Sequence, residues 1–306
     1  MLTVNGSDIT KAVIAAEISE KINSGAAVLS FSVLKSEAQK LKNGDEAVLL
    51  KDGHTVFIGK IFSRKINRDI AEISAFDSIA NLKAVLPVKR NAGKVSKFIG
   101  EIFALASPYV RAGIIDECSA ELVPNQYKNI SLLNIIYKAI DEAGTAKGRF
   151  VLRDEGGTVA FRNEELLTNG YILNAKSVID FDYSHSAEDC LNYVKLISNN
   201  VENAYTDTVV VKNELSIGKL GVRGITKKVY EKNPEQLAAM AKQLLLEKNK
   251  EKEQLVVTAI GDASVRAGCR IWCDLNGVGT FWARVVSSKH SFEGKSYFMR
   301  LELERI

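Results

Sequence analysis

The sequence lacks the features of an exported, disulfide-bonded or membrane-spanning protein. Its opening, Met1 to Gly6, has neither the basic nor the apolar segment of a secretory signal. No apolar run approaches the roughly 18 residues that span a bilayer. The cysteines are spread without a disulfide-like framework and are Cys118, Cys190, Cys269 and Cys273. The sequence therefore predicts a protein made in a reducing cytoplasm, with no membrane insertion of its own.

A strong excess of one charge is also missing. The 306 residues carry 41 basic and 37 acidic side chains with interleaved signs, so the net charge of +4 does not indicate a nucleic-acid-binding protein. One basic cluster lies between Lys83 and Lys97 and consists of Lys83, Lys89, Arg90, Lys94 and Lys97. We expect this cluster to be a solvated loop, and contact with an acidic partner is the alternative.

Residues for acid–base or metal chemistry are scarce. The three histidines are His54, His185 and His290, and no second ligand stands at metal spacing from His54 or His290. Cys269 and Cys273 are not accompanied by a second Cys or His pair, so they do not form a zinc half-site. The sequence predicts no metal site.

Other patterns that resemble active-site motifs are incomplete. The adjacent carboxylates Glu164 and Glu165 lie in a polar segment, and we interpret them as surface charge. Gly218, Gly221 and Gly224 lack the Gly-Lys-Ser/Thr ending of a phosphate loop, so we expect a turn or a glycine-containing strand there. These absences favour a scaffold over an enzyme, with no catalytic residue and no cofactor.

The first part of the chain, 1–85, has the pattern of short antiparallel strands. Apolar and polar residues alternate from Ala27 to Val33, which is the period of a half-buried strand. Turn signals at Asn43-Gly44-Asp45 and Asp52-Gly53 separate further strand-like runs up to Phe76. Asp77 is positioned to cap a brief helical turn. We predict a first β-barrel unit.

Helical spacing replaces this pattern in the segment 86–175. Apolar residues recur at helical positions in Ser96–Ala106 and in Ser131–Ala143, and Gly144 is placed to end the second helix. A hairpin is predicted around Gly156-Gly157. We predict an α+β insert with its own core.

Strand-like runs return in the segment 176–306, which we predict to be a second β-barrel unit. A helix near 234–252 interrupts them. Pro234 suits its first turn, and its apolar stripe is expected to pack on the barrel or to dock on another subunit. The apolar positions of the stripe are Leu237, Met240, Ala241 and Leu244.

An internal repeat joins the two ends of the chain. A shift of 224 positions places the C-terminal strands on the N-terminal strands without a gap and keeps the apolar phase. The matched pairs include Gly44 with Gly268, Phe57 with Phe281, Ser63 with Ser287, Lys65 with Lys289, Val48 with Trp272 and Ile73 with Tyr297. We interpret this as one β-barrel unit that occurs twice, and predict a mainly β fold with an α+β insert between the copies.

These same segments resemble a known family. The stretch from Asn43 to Asp77 resembles the N-terminal barrel of the XkdQ/YqbQ-type hub proteins of prophage contractile tails, within the late control protein D group. Ser216 to Gly221 is similar to a Ser-Ile-x-x-Tyr-Gly element of that family, with Leu220 in place of the tyrosine. The segment from Gly261 to Leu303 is similar to the family's closing barrel.

The resemblance implies a non-enzymatic baseplate hub with tail-tube-like barrels, assembled in the bacterial cytoplasm into a phage or bacteriocin-like particle. It implies a homotrimeric ring between a six-fold tail tube and a three-fold central spike. The partners it implies are further copies of the chain, the tube or tube-initiator protein, the spike, baseplate wedge proteins and the tape measure protein. Because the chain ends at Ile306 after the last strand, we expect no fused lysozyme or spike domain. The alternatives are a tube or receptor-binding component and an unrecognised enzyme.

Overall fold

The structure, a computed structural model, describes residues 1–145, 148–199, 206–230, 234–294 and 296–306. The chain contains two compact units. The first consists of Met1–Asp182 and Leu255–Ile306, and the second consists of Tyr183–Gln254. The boundaries of the predicted segments 1–85, 86–175 and 176–306 stay predictions.

Strands dominate the first 80 residues, as the alternation predicts. They are β1 (Leu2–Val4), β2 (Ser7–Asp8), β3 (Val13–Lys21), β4 (Val28–Leu34), β5 (Glu46–Lys51), β6 (His54–Ile66) and β7 (Ile70–Phe76). The short helix α1 (Lys35–Ala38) lies between β4 and β5. In β4, Leu29, Phe31 and Val33 are buried and the residues between them are not. Burial of each such side chain stabilises the fold by about 1.5–3 kcal/mol. Asp77 caps a 3₁₀ turn by accepting from the Ile79 N–H, as predicted.

The predicted helices and hairpin of the insert are confirmed. The elements are β8 (Val88–Arg90), β9 (Gly93–Lys94), α2 (Val95–Ala106), β10 (Ala112–Ile115), β11 (Glu121–Leu122), β12 (Asn125–Tyr127), α3 (Leu132–Ala143), β13 (Phe150–Asp154), β14 (Val159–Asn163) and β15 (Thr168–Leu173). The Ser131 hydroxyl caps α3 by accepting from the Asn134 N–H. The two helices and the β13–β14 hairpin share one apolar cluster, which includes Ile99, Ile136 and Phe161.

The remaining elements are mostly strands, with two helices. They are β16 (Val178–Ser186), β17 (Tyr193–Asn199), β18 (Thr206–Lys212), α4 (Glu214–Leu220), β19 (Gly224–Tyr230), α5 (Pro234–Lys248), β20 (Lys252–Ile260), β21 (Arg270–Leu275), β22 (Gly279–Glu293) and β23 (Ser296–Arg305). The helix α5 begins at Pro234 as predicted, but it ends at Lys248, and β20 starts at Lys252.

The unit Tyr183–Gln254 has its own small sheet, in the order β18-β17-β19. The strand β17 is antiparallel to β18 and parallel to β19. Leu237, Ala241 and Leu245 of α5 pack on this sheet. The prediction for α5 was therefore partly wrong. Met240, a member of the predicted apolar stripe, is 43% exposed. The helix packs on the small sheet rather than on a barrel, because Leu237, Ala241 and Leu245 meet the apolar face of that sheet.

The strands of the two predicted barrel units are joined in one 13-stranded sheet. Its path is β16-β20-β23-β22-β3-β4-β7-β6-β5-β1-β2. Outside this path, β21 pairs with β22 on one side and with β15 on the other. The joint is the antiparallel pairing of β22 with β3, from Ser287 opposite Lys21 to Glu293 opposite Ala15. Each end of the sheet surrounds its own apolar cluster. The mainly β fold with an α+β insert is thereby confirmed.

The prediction for the glycines between 218 and 224 was partly wrong. Gly218 lies within α4 rather than in a turn or strand, and Gly221 ends that helix with a φ of +72°. The helix forms here because Asn213 caps it by accepting from the Ser216 N–H. Gly224 opens β19, so the three glycines belong to three different local structures.

The four lysines of the basic cluster are exposed to solvent, as expected, but Arg90 is not. Arg90 is only 1% exposed, and its guanidinium lies 2.7 Å from the Glu142 carboxylate. The same guanidinium stacks over the rings of Phe98 and Tyr127. A cation can be buried in this way because a paired carboxylate and aromatic faces replace its hydration.

Candidate functional site

The glycines of the repeat occupy the same kind of turn. Gly44 has a φ of +94° and Gly268 a φ of +87°, which only glycine adopts readily. The Gly44 N–H donates to the Ile61 carbonyl at 2.7 Å, and the Gly268 N–H donates to the Val285 carbonyl at 2.8 Å. In return, Ile61 and Val285 donate to the residue that follows each glycine, at 2.9 and 2.8 Å. Both turns therefore hold the start of one strand against the middle of a long one.

The aromatic residues of the repeat point into the two cores. Phe57 is 5% exposed and Phe281 is 7% exposed. Phe57 stands opposite Leu49, and Phe281 stands opposite Cys273. Both members of the second pair lie 224 positions after those of the first, so the two hairpins have the same register at this point.

A β-bulge also recurs at matched positions. The pairing of β6 with β7 shifts between Ile61 and Ser63, and the pairing of β22 with β23 shifts between Val285 and Ser287. A bulge bends a strand and increases its twist. The long strands β6 and β22 therefore change direction at equivalent residues.

The last strand departs from the gap-free repeat. The sequence matches Ile73 with Tyr297, but Ile73 stands opposite Arg64 and the corresponding residue of β22, Ser288, stands opposite Leu301. The counterpart of Ile73 is therefore Leu301, and this part of the prediction was wrong. The hairpin β22–β23 is longer by two residues on each arm. A shift by an even number of residues keeps the same face of the strand buried, so the apolar pattern of the sequence could not reveal the longer hairpin.

The four remaining repeat residues lie on the side of the sheet that faces away from the cores, here called the polar sheet face. Lys65 pairs with Glu72 at 3.8 Å, and Lys289 pairs with Glu17 at 2.8 Å. Ser63 and Ser287 lie two residues before these lysines. A row of opposite positions crosses β6, β7, β4, β3 and β22 through Ser63, Ser74, Ser30, Glu17 and Ser291. Serine hydroxyls and ion-paired side chains suit a surface that stays hydrated.

A buried charged junction connects β3 with the loop before β21. The Arg266 guanidinium lies 2.7 Å from the Glu20 carboxylate, which also accepts from the Ala267 N–H at 2.7 Å and the Ser288 hydroxyl at 3.1 Å. Burial raises the pKa of Glu20, but the charge and hydrogen bonds of Arg266 outweigh it and lower that pKa to about 2. The ionised pair therefore connects the two ends of the chain.

The junction extends to the insert. The Arg266 guanidinium donates to the carbonyl of Asp154 in β13 at 2.8 Å. Burial, followed by the nearby Asp154 carboxylate, raises the pKa of Asp77 to about 7. The Asp77 carboxylate accepts from the N–H groups of Ala27 and Ile79, each at 3.0 Å. One buried network thus contacts both ends of the sheet and the insert.

The β13–β14 hairpin also packs against both ends of the sheet. The Asn23 side chain donates to the Phe150 carbonyl at 3.0 Å. A Cβ on Gly268 would lie 3.0 Å from a methyl group of Val151, and a Cβ on Gly157 would lie 3.3 Å from a methyl group of Ile58. The hairpin tip therefore lies next to Ile58 on the first end of the sheet.

Candidate catalytic and metal residues are not brought together. Within the described ranges, no group of three or more His, Cys, Asp or Glu side chains could hold a metal ion. Glu164 is buried, contrary to the surface role predicted for it, because Arg284 pairs with its carboxylate at 3.0 Å. All four cysteines are free and buried. His290 is buried inside β22, and its ring contacts the Val265 carbonyl at 2.8 Å and the Tyr297 hydroxyl at 3.0 Å.

An apolar stripe crosses the outer side of the second sheet end. It consists of Ile172, Trp272, Trp282 and Ile306, which stand opposite one another on four neighbouring segments. The two indole rings meet edge to face with centroids 5.3 Å apart. Ile172 is 47%, Trp282 37% and Ile306 43% exposed. Sequence reasoning matched Trp272 with Val48 but did not identify this surface.

The fold is shared with tail proteins of phages. The chain is similar to the 43 kDa tail protein of prophage MuSo2 from Shewanella oneidensis, with a TM-score of 0.72 and 12% identity over 99% of this chain and 97% of that one. It is similar to a tail protein of Neisseria meningitidis MC58, with a TM-score of 0.70 and 13% identity over 99% and 94%. A type VI secretion component of E. coli, described as similar to the T4 tail proteins gp27 and gp5, aligns with a TM-score of 0.62 and 12% identity over 100% and 77%.

The sequence also identifies a family. The profile of the YQBQ-like family matches residues 16–304, so the chain belongs to this family, and the recognition from sequence is confirmed. No curated protein matches the chain. None of the described helices combines the length and the apolar character needed to cross a membrane.

Proposed function

We propose that this chain is a structural hub protein of a contractile-tail baseplate. Three copies form a ring that adapts a six-fold tail tube to a three-fold central spike. The observation that carries the proposal is the matched pair of turns at Gly44 and Gly268, with the same reciprocal hydrogen bonds to Ile61 and Val285. This match supports two copies of one barrel unit in each chain. Family membership and the fold shared with tail proteins support the location in a tail particle.

The symmetry follows from the duplicated unit. A three-fold axis acting on two similar units produces six units in a closed ring, because head-to-tail contacts close when the rotation permits it. Within one chain, the pairing of β22 with β3 joins two units side by side. We propose that similar side-by-side contacts between chains complete the ring.

The proposed role needs no catalytic group and no cofactor. The chain binds its own copies, the tube or tube-initiator protein, the central spike and baseplate wedge proteins, and it contacts the tape measure protein inside the particle. The particle, a phage or a headless bacteriocin-like tail, assembles in the bacterial cytoplasm. The absence of a catalytic role is supported by Glu164 and Glu20, since an arginine inside the fold neutralises the charge of each carboxylate.

The test is the copy number and position of the chain in purified tail particles, measured by cryo-electron microscopy and quantitative mass spectrometry. We expect three copies in one ring at the end of the tube, next to the spike. Six copies per ring along the tube would identify a tube component, and a location at peripheral fibres would identify a receptor-binding component. Either result would overturn the hub proposal.

A further inference from the structure

Two carboxylates of the buried junction have no cation of their own. Asp77 and Asp154 are 4% and 5% exposed. The nearby Arg266 guanidinium is bound by the Glu20 carboxylate at 2.7 Å and donates to the backbone carbonyl of Asp154, and neither aspartate forms an ion pair within the described ranges. The junction therefore buries more negative than positive charge, which is costly unless a bound group neutralises it.

One oxygen of this pair also lacks a donor. Each oxygen of Asp77 accepts one backbone N–H, and Oδ1 of Asp154 accepts from the Gly157 N–H at 2.8 Å. Ser78 lies close to the Asp154 carboxylate, but Oδ2 of Asp154 is buried and makes no hydrogen bond of normal geometry. Because buried polar atoms in native proteins nearly always have a partner, this oxygen indicates a donor beyond the side chains described here.

A small cavity lies beside both carboxylates. Its volume is about 30 Å³, and Asp77, Asp154, Thr55 and Arg266 are among the residues that line it. About 10–15 Å³ is enough to hold one water molecule. A water molecule can donate to two carboxylates at once, but it leaves both negative charges in place. A proton removes one of these charges, and two carboxylates that share a site retain a proton because both cannot ionise at low cost.

We propose that Asp77 and Asp154 together bind one proton through a water molecule in this cavity, and that the proton fastens the β13–β14 hairpin to the first end of the sheet. Asp77 follows β7 directly, and Asp154 is the last residue of β13, so the site joins the sheet to the insert. Loss of the proton leaves two like charges across this contact. The site makes the attachment of the hairpin depend on pH, independently of the proposed hub function.

The pKa values of the pair agree with a bound proton. Burial and then the Asp154 carboxylate raise the pKa of Asp77 from its ordinary 3.8 to about 7, and burial also raises the pKa of Asp154. Because the folded pKa is above the unfolded pKa, the stability contributed by this proton falls as the pH rises towards 7. The other titratable or charged groups of the surrounding elements are Glu20 on β3, Tyr137 on α3, Arg153 on β13, Arg266 before β21 and His290 on β22.

Infrared difference spectroscopy of the full chain between pH 5.5 and 8.5 detects the proton directly, through the C=O stretch of a protonated carboxyl group. We expect wild type to lose this signal near pH 7, and both Asp77→Asn and Asp154→Asn to lack it. Absence of the signal from wild type would overturn the proposal, whether or not the variants fold. Persistence in either folded variant would assign the proton to one residue alone and would also overturn it.

Urea denaturation measures the effect on stability. Asparagine at position 154 keeps the acceptor for the Gly157 N–H and adds an N–H donor for the cavity. We expect the urea midpoint of Asp154→Asn to rise relative to wild type from pH 5.5 to 8.5, because only wild type buries a second negative charge when the proton leaves. The control is Asp8→Asn, since Asp8 also accepts a backbone N–H but is exposed, and its pKa lies below 3.8. Its difference from wild type should stay constant, and a constant difference for Asp154→Asn would overturn the proposal.

Hydrogen exchange shows where the proton acts. Peptides from Phe150–Asn163 report on the hairpin, and peptides from α2 serve as the internal reference. After correction for intrinsic exchange rates, we expect protection of the hairpin in wild type to fall about 10-fold relative to Asp154→Asn between pH 5.5 and 8.5, the factor that corresponds to one pKa unit. Equal protection of the hairpin in the two proteins at both pH values would refute its role as the element that the proton holds.

Discussion

Replacing Glu20 by glutamine should destabilise the fold through the buried charged junction. Glutamine keeps the size of the side chain and can still accept from the Ala267 N–H, so the change removes mainly the negative charge. Glu20 is 9% exposed and Arg266 is 22% exposed, so solvent compensates little for the lost pair. Removing one partner of a buried ion pair costs about 3–5 kcal/mol.

The pKa of Glu20 provides a second route to the magnitude. Its ordinary value is 4.5, and the folded structure lowers it to about 2. Each pKa unit corresponds to about 1.4 kcal/mol, so the ionised form contributes about 3 kcal/mol to the free energy of unfolding. Because the folded pKa is below the unfolded pKa, this stability is present above pH 4.5 and is lost as the pH falls towards 2.

The assay is urea denaturation of wild type, Glu20→Gln and Glu17→Gln at pH 7 and at pH 3. Glu17 is a matched control on the same strand, since it pairs with Lys289 at 2.8 Å but is 36% exposed. We expect Glu20→Gln to lose about 3 kcal/mol at pH 7 and less at pH 3, and Glu17→Gln to lose less than about 1 kcal/mol. Equal losses for the two variants, or a larger effect of Glu20→Gln at pH 3, would refute the reasoning. Other carboxylates titrate in this range, so the comparison uses differences from wild type at each pH.

Three further outcomes test the structure. Gly44→Ala should lower the free energy of unfolding by about 1 kcal/mol through backbone strain. Gly268→Ala should lower it by about 1–3 kcal/mol more, because only the Cβ at position 268 would meet a neighbour, Val151 at 3.0 Å. Equal urea midpoints for the two variants would contradict this difference. Burial lowers the pKa of His290 from its ordinary 6.5, so the contribution of His290 to the free energy of unfolding should decrease as the pH falls below 6.5, while the raised pKa of Asp77 acts in the opposite direction. Between pH 7.5 and 5.5 the free energy of unfolding of wild type should therefore fall relative to that of His290→Gln, and an unchanged difference between the two proteins would be contrary evidence. Alkylation under denaturing, non-reducing conditions should modify all four cysteines, and recovery of any intramolecular disulfide from fresh protein would contradict this.

Local structure could be predicted from the sequence wherever it depends on local chemistry. The alternation of Leu29, Phe31 and Val33 predicts a half-buried strand, and Asp77 and Ser131 occupy the cap positions that their side chains suggest. Burial of charged residues could not be predicted in the same way. Arg90 and Glu164 lie in polar segments, and their partners, Glu142 and Arg284, are distant in sequence.

The sequence by itself determined the strands β4 to β7, the two helices of the insert and the repeated turns at Gly44 and Gly268, because periodicity and turn chemistry act over a few residues. Only the tertiary structure decided which strands meet. The pairing of β22 with β3 and the parallel pairing of β17 with β19 join residues far apart in the chain. The match of Ile73 with Leu301 was hidden because a shift by an even number of residues keeps the buried face the same. The apolar stripe could not be predicted because it depends on strand pairing: its residues become neighbours only where β15, β21, β22 and the end of the chain lie side by side.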